Sequence, residues 1–246
     1  MKMITSRQNA LVKEIRALKD KKVRDESGLF VIEGVKTVKE ALECGVSVKD
    51  VVCTEKGLSL IGLTESAVTL VTDDVFKSIS DEVTPQGVIA TAYKPVYPLS
   101  PPEGDSILLD GVSDPKNVGA IIRTAAAAGY KDLYLVNAAD PFSPKAVRAS
   151  MSGIYKVRTH TCTIEEAFSI INAEFIVADM RGENAFAFKP SGRFCLVIGN
   201  EGNGVSPAVK NAVKTAVSIP MQNGTESLNA AVSAGILMYA LKNSSI

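Results

Sequence analysis

Two glycine- and amide-rich stretches near the C-terminus have the composition of a small-molecule site. They are residues 196–205 (LVIGNEGNGV) and 219–229 (IPMQNGTESLN), and each one opens off an apolar run typical of a strand. A third stretch, residues 117–123 (NVGAIIR), follows another apolar run. Open α/β sheets bind ligands at the edge where the loops after their strands meet. We therefore predict that these three stretches converge at one sheet edge.

The glycine spacing in residues 196–205 argues against one common nucleotide motif. The pattern from Gly199 to Gly204 is GxxGxG, whereas the dinucleotide fingerprint of Rossmann folds is GxGxxG. Glycines after a strand still let the main chain approach a ligand closely. The stretch thus weakens the hypothesis of a nucleotide-dependent oxidoreductase. It leaves open a backbone-lined pocket or an ordinary strand-to-helix turn.

In this order and spacing, the three stretches resemble the three motifs of the SpoU/TrmH family of RNA ribose 2′-O-methyltransferases, of the SPOUT class. Residues 6–14 (SRQNALVKE) and 30–34 (FVIEG) are more loosely similar to the RNA-binding domain of that family. The resemblance implies S-adenosylmethionine as cofactor, RNA as substrate, with ribosomal RNA preferred to transfer RNA, and a homodimer. It also implies a trefoil knot in the C-terminal domain.

The resemblance assigns catalytic roles to five residues, Asn117, Arg123, Glu201, Ser227 and Asn229. The arginine offers a planar fork of donors that suits a phosphate, and family mechanisms also propose it as the base. We favour the phosphate contact, because a guanidinium rarely releases its proton. The glutamate is expected to orient the arginine or the first asparagine. Without the resemblance, Arg123 reads as a surface arginine and Ser227 as a helix cap.

The resemblance also implies that the loops around residues 199–204 and 219–229 form the two walls of a cofactor pocket. Its contacts are expected to be largely through backbone groups. At Asp179 the chain departs from the family's commoner Thr-Asp pattern, because an alanine precedes the aspartate. The implied cofactor-binding residues are Ala178, Gly199, Asn200, Gly202, Ile219, Met221 and Leu228.

Charge is unevenly distributed along the chain, although the net charge is zero. Residues 1–24 hold eight bases against two acids, and the remainder holds 19 bases against 25 acids. A basic end on an otherwise acidic molecule is typical of a protein that binds a phosphate backbone, although basic helix faces are also common. We predict RNA contacts by Arg7, Lys13 and Arg16, together with Arg148.

Hydrophobic periodicity indicates an α/β fold in two domains. An amphipathic helix is predicted over residues 9–21, and four prolines within residues 94–104 mark a domain boundary. We assign residues 1–95 to a small α/β RNA-binding domain, similar to ribosomal proteins, and residues 105–246 to the methyltransferase domain. Alternating strands and helices beyond residue 105 predict a parallel sheet, with a last helix over residues 227–242.

The remaining residue types favour no other chemistry. The four cysteines have no CxxC spacing and are expected to be buried free thiols, and the one histidine, His160, lies in a predicted strand. We therefore expect no metal. No apolar run is long enough to span a bilayer, which leads us to expect a cytoplasmic protein. The alternative is a non-catalytic RNA-binding protein that keeps the same fold.

Overall fold

Helices and strands alternate along the chain, whose computed structural model describes residues 3–222 and 227–243. By its own contacts the chain divides into two units. The first unit comprises Met1–Val96 and Phe142–Tyr155, and the second comprises Tyr97–Pro141 and Lys156–Ile246.

The first unit is built on a four-stranded sheet with helices between its strands. Its elements before residue 97 are α1 (Ala10–Ala17), α2 (Lys21–Ser27), β1 (Leu29–Glu33), α3 (Val35–Glu43), β2 (Val48–Cys53), α4 (Glu55–Ile61), β3 (Thr69–Leu70), α5 (Asp73–Ile79) and β4 (Val88–Tyr93). The strand order is β1–β4–β2–β3, in which β4 runs antiparallel to both of its neighbours and β2 is parallel to β3.

Local sequence explains where several of these helices begin and end. The side chain of Asn9 accepts a hydrogen bond from the Leu11 amide at the start of α1, and Thr54 caps α4 in the same way. Gly28 ends α2 in the left-handed conformation that glycine adopts without strain. The apolar stripe of α1, with Val12 and Ile15, is buried against α5.

Beyond residue 105 the chain supplies the strands and helices of the second unit and one helix of the first. The elements are β5 (Ser106–Asp110), α6 (Pro115–Ala127), β6 (Asp132–Val136), α7 (Pro144–Ser150), β7 (Arg158–Thr161), α8 (Ile164–Ile170), β8 (Glu174–Asn184), β9 (Phe194–Gly199), α9 (Pro207–Ala212), β10 (Thr215–Ser218) and α10 (Ala230–Asn243).

The segment Phe142–Tyr155, which contains α7, packs within the first unit. The ring of Phe142 lies 5.1 Å from the ring of Phe30 in β1. Arg148 of α7 forms ion pairs with Glu33 and Glu82. The segment therefore contributes both apolar and charged contacts to a unit that is otherwise encoded before residue 97.

The second unit contains a six-stranded, all-parallel sheet in the order β10–β8–β9–β5–β6–β7. The central strands β5, β6 and β9 are buried almost throughout, as expected of a parallel sheet covered on both faces. The parallel sheet predicted from the alternating pattern is confirmed. Within the described residues, no helix combines the length and the apolar character needed to cross a membrane.

Three sequence predictions of element boundaries are wrong. The helix predicted over residues 9–21 ends at Ala17, and a separate helix, α2, follows. The last helix begins at Ala230 rather than at Ser227. The apolar run FIVA at residues 175–178 predicts a short strand, but strand β8 extends to Asn184. Helix α4, capped by Thr54, was not predicted.

Candidate active site

A cleft of about 400 Å³ lies at the carboxyl edge of the parallel sheet in the second unit. Its size is typical of small-molecule sites. Its walls come from residues of β8, from the segments that follow β9 and β10, and from the first turns of α10. Nine of the twelve residues predicted for catalysis or cofactor binding line it: Ala178, Gly199, Asn200, Glu201, Ile219, Met221, Ser227, Leu228 and Asn229. The predicted convergence of residues 196–205 and 219–229 is confirmed.

The loop after β9 is a tight turn that closes on itself. The backbones of Asn200 and Gly204 exchange two hydrogen bonds of 2.9 Å, and Asn200 Oδ1 accepts from the Gly202 amide at 3.0 Å. A Cβ atom on Gly199 would lie 2.4 Å from the carbonyl carbon of Gly204. Glycine is thus required at position 199 by the packing of the loop itself. Gly202 lies in the turn but does not line the cleft.

Hydrogen bonds between side chains join the three predicted stretches. Asn117 Nδ2 donates to Glu201 Oε1 at 2.8 Å, and Asn117 Oδ1 accepts from Asn229 Nδ2 at 2.9 Å. Asn117 is only 8% exposed, at the first turns of α6. These two bonds fix the relative positions of the loop after β9, the start of α6 and the start of α10.

Glu201 also holds the loop that precedes α6. Its carboxylate accepts from the Ser113 amide at 3.2 Å, the Ser113 hydroxyl at 3.1 Å and the Asp114 amide at 3.3 Å. Partial burial acts to raise the pKa of Glu201, but the hydrogen bonds from Asn117 and from backbone amides stabilise the charged form. The pKa is consequently lowered to about 2. The group is ionised at neutral pH, which suits positioning rather than proton transfer.

Asn229 caps the last helix. Its Oδ1 accepts from the Ala231 amide at 2.9 Å and from the Val232 amide at 3.2 Å, so that α10 begins one residue later. The cap predicted at Ser227 is therefore wrong, since Asn229 holds the helix start. The Ser227 hydroxyl lines the cleft and forms no hydrogen bond with the residues that the structure describes. By residue type Gly224 predicts the turn of this loop, but it lies outside the described residues.

Arg123 lies on α6, six residues after Asn117, which places it about 9 Å further along the helix axis and on a different face. It is exposed and does not line the cleft. Within residues 3–222 and 227–243, its guanidinium has no hydrogen-bond or ion-pair partner. Next to it, Thr124 packs against Gly235 of α10. The charge of Arg123 is therefore available to a ligand.

A feature that the sequence did not reveal is an irregularity in β8. The ladder between β8 and β10 pairs Val177 with Ala216 and then Glu183 with Val217, so residues 178–182 bulge out of register. Bulges near active sites re-aim side chains. Here the bulge places three residues in the wall of the cleft, namely Ala178, Asp179 and Met180. The last two were not among the predicted cofactor-binding residues.

The bases predicted to contact RNA lie on the first unit, and most of them have partners there. Arg7 forms an ion pair with Asp74, and Arg16 Nη2 donates to Ser78 Oγ at 3.0 Å. Arg148 Nε lies 2.6 Å from Glu82 Oε1. Lys13 is exposed, and its side chain contacts no acid among the described residues. Their contacts with RNA remain predictions.

The cysteines and His160 are not among the residues that line the cleft. Cys53 and Cys195 are buried, whereas Cys44 is exposed, so the prediction of buried thiols is wrong for Cys44. Burial raises the pKa of Cys195 to about 12. His160 is buried in β7, with Nε2 3.2 Å from Asp132 Oδ1, as expected of a strand residue. In the part of the chain that the structure describes, no cluster of three or more potential metal ligands occurs.

Comparison with protein families gives two matches. Residues 106–239 match the family described as "SpoU rRNA Methylase family". Residues 9–90 match the domain described as "MRM3-like substrate binding domain".

Similar proteins span nearly the whole chain. The "23S rRNA (guanosine(2553)-2'-O)-methyltransferase RlmP" of Bacillus subtilis (strain 168) is 31% identical over 248 residues, which cover 98% of this chain and all of that protein. The "23S rRNA (uridine(2479)-2'-O)-methyltransferase" of Streptomyces viridochromogenes is 29% identical, over 96% of this chain and 90% of its own length.

Two solved structures are similar along the chain as well. An AdoMet-bound rRNA methyltransferase from Sinorhizobium meliloti has a TM-score of 0.88 and 29% identity, and the match covers 100% of this chain and 98% of that one. The SpoU methyltransferase AviRb from Streptomyces viridochromogenes, in complex with AdoMet, has a TM-score of 0.78 and 25% identity. That match covers 95% of this chain and 97% of the other.

Proposed function

The chain belongs to the SpoU rRNA methylase family, and from this premise we propose that it transfers the methyl group of S-adenosylmethionine to a ribose 2′-hydroxyl of ribosomal RNA. The observation that carries the proposal is the hydrogen-bonded network of Glu201, Asn117 and Asn229, which unites the three motifs beside one cleft. The names of the relatives from Bacillus subtilis and Streptomyces viridochromogenes both specify 23S rRNA. This favours ribosomal over transfer RNA as substrate.

The residues of the cleft fit a nucleoside cofactor. Apolar side chains, including Ile198, Met221 and Leu228, offer surfaces for a planar base. Gly199, at the end of β9, and Ile219, directly after β10, also line the cleft. Main-chain groups at such positions can orient a ligand by hydrogen bonds. Bound S-adenosylmethionine supplies a methyl group activated by a sulfonium. The neighbouring side chains then need only to hold the acceptor in line, and such placement is a large source of rate enhancement.

We assign Arg123 to binding the RNA that accepts the methyl group. Its guanidinium is exposed and unpartnered within the described chain, and its planar fork of donors suits a phosphate. Clamping the phosphate beside the reacting ribose would fix the 2′-hydroxyl relative to the cleft. Since a guanidinium rarely loses its proton, we assign Arg123 to this contact rather than to general base catalysis.

Asn117, Glu201 and Asn229 are assigned to positioning. Both side-chain groups of Asn229 are already committed, one to the helix cap and one to Asn117. Glu201 accepts bonds from two segments at once. Among the residues that the structure describes, the Ser227 hydroxyl forms no hydrogen bond, so we propose that it stays available to the reacting centre.

We assign RNA recruitment to the first unit, on the strength of its match to a substrate-binding domain and its basic N-terminal segment. Point substitutions are the appropriate test of this role. Deleting residues 1–90 would also remove Phe30, the packing partner of Phe142, and would expose part of the remaining chain.

Family membership supports three finer proposals. We propose a homodimer formed through α10, whose Val232 and Tyr239 are 51% and 46% exposed, and a trefoil knot in the second unit. For a protein that acts on ribosomal RNA we also propose the cytoplasm as its location. Light scattering at several protein concentrations tests the dimer: a mass of one chain throughout contradicts it.

The test of function is methyl transfer from isotopically labelled S-adenosylmethionine to ribosomal RNA. The modified nucleotide is located by primer extension, and an RNA fragment with a single 2′-deoxy substitution there is the matched control, because it lacks only the acceptor hydroxyl. We expect label in the natural fragment and none in the control. Cofactor binding without any transfer would instead identify a non-catalytic RNA-binding protein.

A further inference from the structure

The described residues that line the cleft carry negative charge and include no compensating cation. Among the described residues that line it, two are acids, Asp179 and Glu201, and none is a lysine, arginine or histidine. Such a wall favours a positively charged ligand over a neutral ligand of the same shape.

The two carboxylates differ in the hydrogen bonds that they already accept. Glu201 accepts hydrogen bonds on both oxygens from the loop before α6 and from Asn117. Asp179 is exposed, and its Oδ1 accepts one bond, of 2.9 Å, from the Arg181 amide. Its Oδ2 is not engaged by any residue in the described ranges. Asp179 therefore has an oxygen available to a ligand.

The position of Asp179 is fixed by the bulge of β8 at residues 178–182. At one end of the bulge, a Cβ on Gly182 would lie 2.5 Å from the backbone of Ala216, so the two strands approach as closely as glycine permits. Ser218 Oγ donates to the Gly182 carbonyl oxygen at 2.8 Å and ties the bulge to β10. The carboxylate is thus presented by a braced backbone rather than by a loose loop.

We propose that Asp179 distinguishes the cationic methyl donor from its neutral product, so that S-adenosylmethionine binds and S-adenosylhomocysteine is released. This inference rests on the proposed function. In the transfer, the S–CH3 bond breaks with its electron pair remaining on sulfur, a C–O bond forms to the ribose, and the hydroxyl proton passes to solvent. The sulfur thereby loses the positive charge that distinguishes the donor.

The expected size of the discrimination follows from Coulomb's law. A carboxylate a few ångströms from a sulfonium, partly screened by solvent, favours the cation by about tenfold in affinity. The donor and the product share their ammonium, carboxylate and ribose groups and differ in the charge on sulfur. The attraction between the Asp179 carboxylate and the sulfonium therefore strengthens binding of the donor alone. Added salt should weaken it, because the cleft is open to solvent.

Calorimetric titration with S-adenosylmethionine and S-adenosylhomocysteine tests the proposal. Asp179→Asn removes the charge and retains an oxygen for the Arg181 amide. Glu183→Gln, in the same strand but outside the cleft, is the control of equal charge change. We expect Asp179→Asn to weaken the donor about tenfold and the product less than twofold. In turnover it should raise the donor KM and leave kcat nearly unchanged. Glu183→Gln should match the wild type.

The outcomes separate this proposal from the function on which it rests. If Asp179→Asn weakens donor and product equally, the residue contacts a group that they share, and the discrimination is refuted. Unchanged affinities would also refute it. A donor preference of the wild type that does not shrink between about 0.05 and 0.5 M salt would contradict its electrostatic origin. If the wild type binds neither compound, the proposed function itself fails.

Discussion

Polar side chains are held in one way at the cleft of the second unit and in another way on the basic N-terminal segment of the first unit, residues 1–24. At the cleft, Asn117 and Glu201 bond to partners from distant stretches of chain at 2.8–2.9 Å, and the asparagine is buried. In the basic N-terminal segment, Arg7 pairs with Asp74 while both side chains stay more than half exposed. Exposed ion pairs contribute at most about 1 kcal/mol.

The difference shows that the charge summed along a sequence segment overestimates the charge that is available to bind RNA. Counted along the sequence, the N-terminal segment is strongly basic, but acids from the same unit partner several of its bases, as with Lys19 and Asp81. At the cleft, by contrast, the side chains of Asn117, Glu201 and Asn229 hold one another in place by hydrogen bonds. We therefore expect large effects from single substitutions in the second unit and small effects on the first.

Arg123→Ala should cause the largest loss. Removing the guanidinium should lower the rate of methyl transfer by about 100- to 1,000-fold, the loss that follows when one donor to the reacting groups is removed from an active site. Binding of S-adenosylmethionine should persist, because Arg123 does not line the cleft. Labelled methyl transfer and calorimetry measure the two quantities.

Arg193→Ala is the control for that experiment, since Arg193 is exposed and precedes β9, at the opposite end of the strand from the cleft. Its activity should equal that of the wild type. An Arg123→Ala enzyme with normal turnover would remove the acceptor role assigned here.

Glu201→Gln should lower turnover by about tenfold to 100-fold, because an amide group replaces one acceptor oxygen and faces backbone N–H donors. The same variant has a pH signature. The pKa of Glu201 is lowered from 4.5 to about 2 in the folded protein, so its ionised form stabilises the fold above pH 4.5. That stabilisation is lost as the pH falls towards 2.

Denaturant unfolding of wild type and Glu201→Gln at several pH values measures this signature. The difference in unfolding free energy should be greatest near neutral pH and should shrink below pH 4.5. A difference that does not change with pH would show that the carboxylate is not held in its charged form.

Gly199→Ala should lower the free energy of unfolding by about 1–3 kcal/mol, the usual effect of overpacking. The added methyl group would lie 2.4 Å from the backbone of Gly204 and would force the turn apart. Donor affinity should fall with it. Gly192→Ala is the control, because no atom lies within 4 Å of its Cβ position. Equal thermal stability of the two variants would show that the turn can adapt.

Lys13→Ala should give the smallest effect, a loss of RNA affinity of a few fold. One fewer phosphate contact should reduce the slope of log affinity against log salt by about 0.7–0.9. Arg7→Ala should change the slope less, since Arg7 is already paired with Asp74. Filter binding across a salt series compares the two variants. A larger effect from Arg7 would mean that the ion pair opens when RNA binds.

The sequence was sufficient to predict the parallel sheet and the convergence of the loops after β9 and β10. Both follow from local patterns, an apolar strand and then a polar loop, repeated where strand ends must meet. The bulge of β8 could not be predicted, because it depends on the close approach of Gly182 to Ala216 in another strand. The placement of Phe142 in the first unit likewise depends on its distant partner Phe30.

The start of the last helix shows a subtler limit. Ser227 and Asn229 are both good caps by residue type. The structure selects Asn229, whose amide nitrogen reaches Asn117 while its oxygen caps the helix. Only the tertiary partner decides between them.

A crystal structure of the protein with S-adenosylmethionine tests the central claim most directly, namely that the motif loops after β9 and β10 form the donor site. We predict that the donor occupies the cleft, against the main chain at Gly199, Ile219 and Leu228. Donor bound elsewhere on the molecule, with this cleft empty, would contradict the account.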